Sequence, residues 1–214
     1  MADLPLIVFD VNETLLDLGT MEPTFQRIFG DKSAMRLWFA NLILYSAALT
    51  VAGVYVPFTD IGAAVMKMLA DSQGIKINDS DKKELTEKFS TMPPYPEVPA
   101  ALRKLRSAGF RLFCLTDNLL EVQTRQLTHG GIVDLFERRF SADGVKHHKP
   151  SPEAYAYVEK RARRYARRTL FDRLPYLGHA RRRCGRLAGC ANQTHRQRCN
   201  GSWTSAAHRR QRSQ

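Results

Sequence analysis

A four-residue apolar run, Leu6-Ile7-Val8-Phe9, ends at an acid and is followed by a long stretch with no further strand pattern. Such a run is typical of a strand in a parallel sheet that is covered on both faces. From about Asp17 to Ser90 the apolar spacing is helical, with repeats such as Ala64, Met68 and Leu69. The sequence therefore predicts a strand separated from the rest of its sheet by a helical insert.

The sheet pattern returns after the proline-rich connector Met92 to Pro96. The expected elements are a helix that ends at Gly109, a strand over Phe110 to Leu115, a helix over Leu120 to Thr128, a short strand around Arg139 to Ser141, and a helix that Ser151 caps and Pro152 begins. This alternation predicts an α/β fold with a doubly wound parallel sheet and an inserted helical cap.

The basic charge of the chain is confined to its C-terminal quarter. The full sequence has 33 Lys+Arg and 21 Asp+Glu, a net charge of +12. Residues 1–160 hold 18 basic and 20 acidic side chains, whereas residues 161–214 hold 15 arginines, no lysine and one acid, Asp172. Because this tail has few aromatic side chains for base stacking, we do not expect a nucleic-acid partner; such a partner would make binding strongly salt-dependent.

Leu37 to Thr59 form a stretch of 23 residues without a charge, which is long enough to cross a bilayer. The polar residues within it favour a buried helix that ends near Gly53, so we expect no membrane partner. A lone cysteine in the body of the chain, Cys114, is compatible with a reducing compartment, and we expect a cytoplasmic protein.

Three groups of polar side chains are expected at one edge of the sheet. Asp10 and Thr116 each end a predicted strand, and Lys149 follows the third strand. An aspartate held ionised by a neighbouring cation can act as a nucleophile. His147 and His148 precede the lysine; because adjacent residues rarely bind one metal ion together, we interpret both as residues of a solvated loop.

Three segments resemble motifs I, II and III of the haloacid dehalogenase superfamily, most closely the type II L-2-haloacid dehalogenases. They are Phe9-Asp10-Val11-Asn12-Glu13-Thr14, Leu115-Thr116-Asp117-Asn118 and Lys149-Pro150-Ser151-Pro152. The resemblance covers residues 4–160. It implies a core over residues 1–16 and 95–160 and a helical cap over 17–94. It also implies a small 2-haloacid substrate and a homodimer formed through the cap.

The resemblance also assigns roles to individual residues. Asp10 would attack the halogen-bearing carbon to give an ester that water cleaves, and Lys149 would stabilise its carboxylate. Thr14 and Thr116 would bind the substrate carboxylate, and Tyr155 would support the site. The other motif positions expected around the substrate are Asn12, Asp117 and Asn118.

The residue two positions after the nucleophile separates dehalogenases from phosphatases in this superfamily. Phosphatases place a second aspartate there to protonate the leaving oxygen, and Asn12 cannot act as an acid. A halide leaving group needs no proton. The resemblance therefore implies dehalogenation without a metal or other cofactor, and a Mg²⁺-dependent phosphatase is the alternative.

Two positions depart from the pattern of the dehalogenases. Their cap-helix arginine aligns with Phe39, and Arg36, one turn earlier, is the candidate substitute. Asp117 stands where asparagine is usual, which adds a negative charge close to the expected site of an anionic substrate.

After Lys160 the strands that the family should contain are missing from the sequence. Arginine without lysine is what GC-rich DNA gives when it is translated out of register, and reading one base later permits family-like sequence. We therefore interpret residues 161–214 as a frameshifted, disordered tail. Its consequence would be an unpaired edge at Leu6 to Phe9 and a poorly folded or weakly active chain.

Overall fold

The computed structural model describes residues 6–163. Three parallel strands, β1 (Leu6–Phe9), β2 (Arg111–Thr116) and β3 (Arg138–Ser141), form one sheet in the order β1-β2-β3. Phe9 lies beside Cys114, and Thr116 lies beside Ser141. The strands therefore end at one edge of the sheet, as predicted, and β3 begins one residue earlier than expected.

The described residues form seven α-helices, and all of them follow β1 in the chain. They are α1 (Glu22–Phe29), α2 (Ala34–Val51), α3 (Phe58–Ser72), α4 (Asp79–Ser90), α5 (Val98–Ser107), α6 (Leu120–His129) and α7 (Pro152–Arg163). Short 3-10 helices span Leu18–Met21, Val133–Leu135 and Ala142–Val145.

Helices cover the sheet on both faces because alternate residues of β2 point to opposite sides. Leu112 and Cys114 belong to a core cluster that includes Leu102 of α5 and Leu127 of α6. Phe113 and its neighbours on the other face pack against Val158 of α7. This is the doubly wound α/β arrangement that the sequence predicts.

The predicted helix end at Gly109 and the predicted helix cap at Ser151 are also confirmed. Gly109 and Gly131 adopt left-handed conformations after α5 and α6, with φ of 85° and 64°, where glycine has no steric penalty. The Ser151 hydroxyl accepts a hydrogen bond from the Ala154 amide at 3.3 Å and so caps α7.

Helices α1 to α4 form the insert between β1 and β2. The segments that enter and leave it lie side by side, with the Asp17 amide donating to the Pro93 carbonyl at 2.9 Å and Tyr95 donating to Leu15 at 3.0 Å. We propose this crossing as the boundary between the core and a cap over residues 17–94.

The expectation that α2 is a buried helix is wrong for one of its faces. Trp38 and Leu42 are buried, and the Trp38 indole donates to the Gly62 carbonyl of α3 at 2.9 Å. In contrast, Leu44 is 60% exposed and Val51 is 90% exposed. Among the described helices, only α2 is long and apolar enough to cross a membrane. Length and composition alone are weak evidence for a membrane span, and 28% of this helix is buried inside the protein.

The helical pattern around Ala64, Met68 and Leu69 is confirmed by α3, in which Leu69 is buried and Ala64 and Met68 are exposed. One further expectation about helices needs correction. Helix α7 continues through Arg163 and buries Ala162, so its last turn includes the first three residues of the predicted tail. The remainder of that tail, and its predicted disorder, lie outside the described residues.

Candidate active site

The carboxylate of Asp10 lies at the end of β1 and is held by a lysine from a distant loop. Lys149 Nζ is 2.5 Å from Asp10 Oδ1 and 3.5 Å from the Leu115 carbonyl oxygen. Thr14 donates its hydroxyl to Asp10 Oδ2 at 3.4 Å. The Asp10 side chain is 44% exposed. A paired carboxylate that remains open to solvent is well placed to meet a substrate.

Lys149 is mostly buried, and burial disfavours its charge. The carboxylates of Asp10 and Asp117 outweigh that effect, so the pKa of Lys149 lies above its ordinary value. The Tyr155 side chain, from the first turn of α7, contributes in the same direction. Lys149 is therefore an ammonium ion at neutral pH, and it forms an ion pair with the Asp10 carboxylate.

Asp117 directly follows β2 in the chain, and its side chain is buried. It contacts Lys149 in two ways. Its Oδ1 accepts the Lys149 backbone amide at 2.8 Å, and its Oδ2 lies 3.9 Å from Lys149 Nζ. His148 Nδ1 lies 3.6 Å from the same Oδ1. Two basic side chains, Lys149 and His148, thus lie close to the negative charge of Asp117, and Asp117 contacts both the backbone and the ammonium group of Lys149.

Thr116 and Asn118 shape the turn that follows β2. The Thr116 hydroxyl accepts the Asn118 amide at 3.2 Å, and both residues are buried. The Asn118 side-chain amide donates to Gln126 of α6 at 3.3 Å, and the Asn118 backbone carbonyl accepts the Ser141 hydroxyl at 2.6 Å. Asn118 therefore ties the ends of β2 and β3 to α6.

The motif I loop contains a buried polar atom without a partner. Among the described residues, Asn12 Oδ1 has no hydrogen-bond partner. Next to it, Glu13 has a left-handed backbone with φ of 57°, a sparsely populated conformation for a non-glycine residue. Burial, with the charges of Asp10 and Asp17, raises the pKa of Glu13, while Arg36 acts in the opposite direction. Sequence reasoning gave Glu13 no role.

Arg36 and Phe39, the two candidates for the substrate-binding position on the cap helix, lie apart from the ion pair of Asp10 and Lys149. Arg36 is exposed and forms an ion pair with Glu22 at 3.6 Å. Phe39 is half-buried and packs against Trp38, with ring centroids 6.2 Å apart. Neither residue contacts Asp10, although Arg36 is close enough to Glu13 to influence its pKa.

The interpretation of His148 as a solvated residue is wrong. Its side chain is fully buried, and its ring stacks on Tyr55 of the insert at 5.1 Å. The only sequence feature that could have indicated a role for His148 is its position next to Lys149. Its burial depends on residues more than ninety positions earlier in the chain, such as Val56.

The donor set for a metal is sparse in the part of the chain that the structure describes. Residues 6–163 contain no group of three or more His, Cys, Asp or Glu side chains that could hold an ion. A cavity of about 660 Å³ between α2, α3 and α4 is lined mainly by apolar side chains, and none of the predicted site residues borders it.

Comparisons with known proteins agree with this fold and these motifs and identify the class of the protein as a hydrolase. A sequence model of the haloacid dehalogenase-like hydrolases matches residues 4–171. The chain therefore belongs to the haloacid dehalogenase-like hydrolases.

Among curated relatives, the (S)-2-haloacid dehalogenase 2 of Pseudomonas sp. (strain CBS-3) is 27% identical over 80% of this chain and 76% of its own length. The haloacetate dehalogenase H-2 of Moraxella sp. (strain B) is 26% identical over 75% and 72%. The L-2-haloacid dehalogenase of Xanthobacter autotrophicus, solved with chloropropionic acid covalently bound, superposes with a TM-score of 0.67 at 21% identity. The match covers 73% of this chain and 64% of that enzyme, just under two thirds of its length.

Proposed function

We propose that the protein is a hydrolytic dehalogenase of small 2-haloacids. The observation that carries this proposal is the 2.5 Å contact between Lys149 Nζ and the partly exposed carboxylate of Asp10. A carboxylate that is kept anionic and left accessible can attack carbon and displace halide. The covalent adduct in the Xanthobacter autotrophicus enzyme supports a reaction of this kind.

The proposed reaction has two steps. In the first, an oxygen of Asp10 forms a bond to the halogen-bearing carbon, and halide leaves with the electron pair of the broken bond. In the second, water attacks the Asp10 carbonyl carbon, releases the 2-hydroxy acid and a proton, and restores the carboxylate. Lys149 stabilises the anionic form of Asp10 at the start and end of this cycle.

The substrate carboxylate would bind beside the nucleophile. Thr14 already donates to Asp10, and we propose that its hydroxyl and that of Thr116 receive the substrate carboxylate, with Tyr155 at the rim. We propose that the orphaned Asn12 side chain also faces substrate or water. Arg36 would reach a halide only by leaving Glu22.

The exposed apolar face of α2 supports a homodimer. Leu37, Leu44 and Val51 are at least half exposed, and large exposed apolar patches mark interaction surfaces. We propose that two copies pair through this face.

The functional test is chloride release from L-2-chloropropionate, measured for this chain and for a register-corrected version. Halide release by the corrected chain, and less by this one, is expected. Phosphate release from a phosphomonoester panel, lost on adding EDTA, would instead identify the Mg²⁺-dependent phosphatase. Equal halide release by both versions would show that our interpretation of residues 161–214 is wrong.

A further inference from the structure

His148 connects the loop that carries Lys149 to the helical insert. Its backbone amide donates to the Thr50 hydroxyl at 3.2 Å. Its ring packs between aromatic side chains of the insert, with centroid distances of 5.1 Å to Tyr55 and 5.9 Å to Phe58. A fully buried histidine in such a place needs partners for both ring nitrogens.

The contacts of the ring favour its doubly protonated form. Nε2 lies 2.9 Å from the Val56 carbonyl oxygen, which can only accept, so Nε2 carries a proton. Within residues 6–163, Nδ1 is buried without a hydrogen-bond partner, and it faces Asp117 Oδ1 at 3.6 Å, a distance that fits an ion pair and is too long for a hydrogen bond. A neutral ring would direct a lone pair at this carboxylate, whereas an imidazolium directs an N–H. Burial lowers the pKa of His148, but Asp117 and the Val56 carbonyl prevail and raise it.

Two carboxylates compete for one ammonium group in this site. Lys149 Nζ is 2.5 Å from Asp10 and 3.9 Å from Asp117. Because Asp117 is buried, leaving it without a second counter-ion would draw the ammonium toward it and away from Asp10. The imidazolium of His148 supplies that second charge.

We propose that His148 is a positioning residue: as the buried counter-ion of Asp117, it leaves the ammonium of Lys149 to the nucleophile Asp10. The pairing of His148 with Asp117 explains how an acid is accommodated at this position of motif II. The role rests on the proposed dehalogenase function, since it acts on the nucleophile of that reaction.

The other charged groups near His148 are already paired. Asp143 accepts the Tyr55 hydroxyl at 2.5 Å and binds Lys146 Nζ at 2.6 Å. Lys146 also lies over the Tyr55 ring at 4.8 Å. Asp143 raises the pKa of His148 less than Asp117 does, and Asp60 acts on Tyr55 rather than on the histidine. Asp117 is therefore the carboxylate to remove in a test.

A double-mutant cycle separates positioning from packing. His148→Gln retains an amide that can donate to Val56 but removes the charge. Asp117→Asn retains the acceptor for the Lys149 amide but removes the competing carboxylate. We expect His148→Gln to lower kcat for halide release about tenfold with little change in KM, and the double variant to recover most of that loss. Equal losses in both backgrounds would overturn the proposal, because a packing defect does not depend on the charge at position 117.

A titration of the histidine ring nitrogens by NMR tests the pair without any activity. The signal absent from His148→Gln identifies the residue. Its pKa is expected above 6.5 in the wild-type chain and lower in Asp117→Asn. An unchanged pKa in Asp117→Asn, or a neutral ring below pH 6.5, would overturn the proposed pairing. If the wild-type chain released no halide from any haloacid, the dehalogenase proposal would fail while this titration still decided the pairing.

Discussion

At the scale of single residues, the candidate site depends on how charges are paired in a partly buried space. Asp10 and Asp117 face Lys149 and His148, and each cation is closest to a different carboxylate. Burial makes every unpaired charge costly, so the loss of one member should affect the others.

Lys149→Met should reduce halide release by about a hundredfold or more, since it removes the cation that is paired with the Asp10 carboxylate. The matched control is Lys146→Met, which removes an exposed lysine three positions away that binds Asp143 instead. Steady-state kinetics of both variants, alongside their melting curves, provide the measurement. A comparable loss in the two variants would contradict a specific role for Lys149.

The raised pKa of His148 makes its contribution to stability depend on pH. Because the folded-state pKa exceeds the ordinary value of 6.5, the contribution is complete below pH 6.5 and is lost as pH rises through the folded-state pKa. Urea unfolding of the wild-type chain and of His148→Gln should therefore differ most at about pH 5.5 and less at about pH 8.5. The opposite trend would mean that the buried ring is neutral.

At the residue scale, the structural features that depend on only a few neighbouring positions could be predicted from the sequence. The glycine at 109 and the serine at 151 behave as expected because each needs only its own turn of chain. The burial of His148 could not be predicted in this way. It depends on Thr50, Tyr55 and Val56, which reach the histidine only after the insert has folded onto the core.

At the scale of elements, the insert is held together by caps and ion pairs as well as by its apolar core. Asn78 and Asp81 form a capping box at the start of α4, with the Asp81 amide donating to Asn78 at 2.8 Å. Arg27 of α1 then binds Asp81 at 2.8 Å and Glu84 at 2.6 Å. One side chain, Asp81, thus serves both the cap and the contact between helices.

Asn78→Ala should destabilise the protein by about 1 kcal/mol, because the first turn of α4 loses its side-chain cap. Lys83→Ala, at an exposed position in the same helix, is the matched control and should have little effect. Thermal or urea unfolding followed by far-UV circular dichroism measures both. Equal stability of Asn78→Ala and the wild-type chain would show that the cap is not needed.

The exposed face of α2 shows where periodicity is uninformative at the element scale. Most positions of this helix are apolar, and apolar residues occur on all of its sides, so the pattern does not distinguish the side that packs on α3 from the side that faces outward. The tertiary contacts of Trp38 and Leu42 make that distinction. Fold class was predictable because it depends on the order of elements, whereas the buried side of a helix that is apolar on all sides depends on its neighbours.

At the scale of the whole molecule, two apolar surfaces remain without a partner among residues 6–163. One is the outward face of α2, and the other is the free edge of β1, which pairs only with β2 within that range. An open edge with apolar side chains favours association between chains. Residues 164–214 lie outside the described residues, so the missing neighbour for β1 and its cause in the tail both stay predictions.

Leu44→Glu should weaken the proposed homodimer, since it places a charge at the centre of the exposed α2 face. Sedimentation measurements over a range of concentrations should show a dimer for the wild-type chain and a monomer for the variant. Ala101→Glu adds the same charge at an exposed position of α5 and should leave the dimer intact. A monomeric wild-type chain, or a dimer unaffected by Leu44→Glu, would exclude pairing through this face.

The most direct test of the proposed chemistry is a single turnover of L-2-chloropropionate in water labelled with oxygen-18. If Asp10 attacks the carbon, the new hydroxyl oxygen of the product comes from its carboxylate and is unlabelled, and the Asp10 peptide gains the label when water cleaves the ester. Asp10→Asn should release no halide. A labelled product from the first turnover, with an unlabelled Asp10 peptide, would contradict direct attack by this carboxylate.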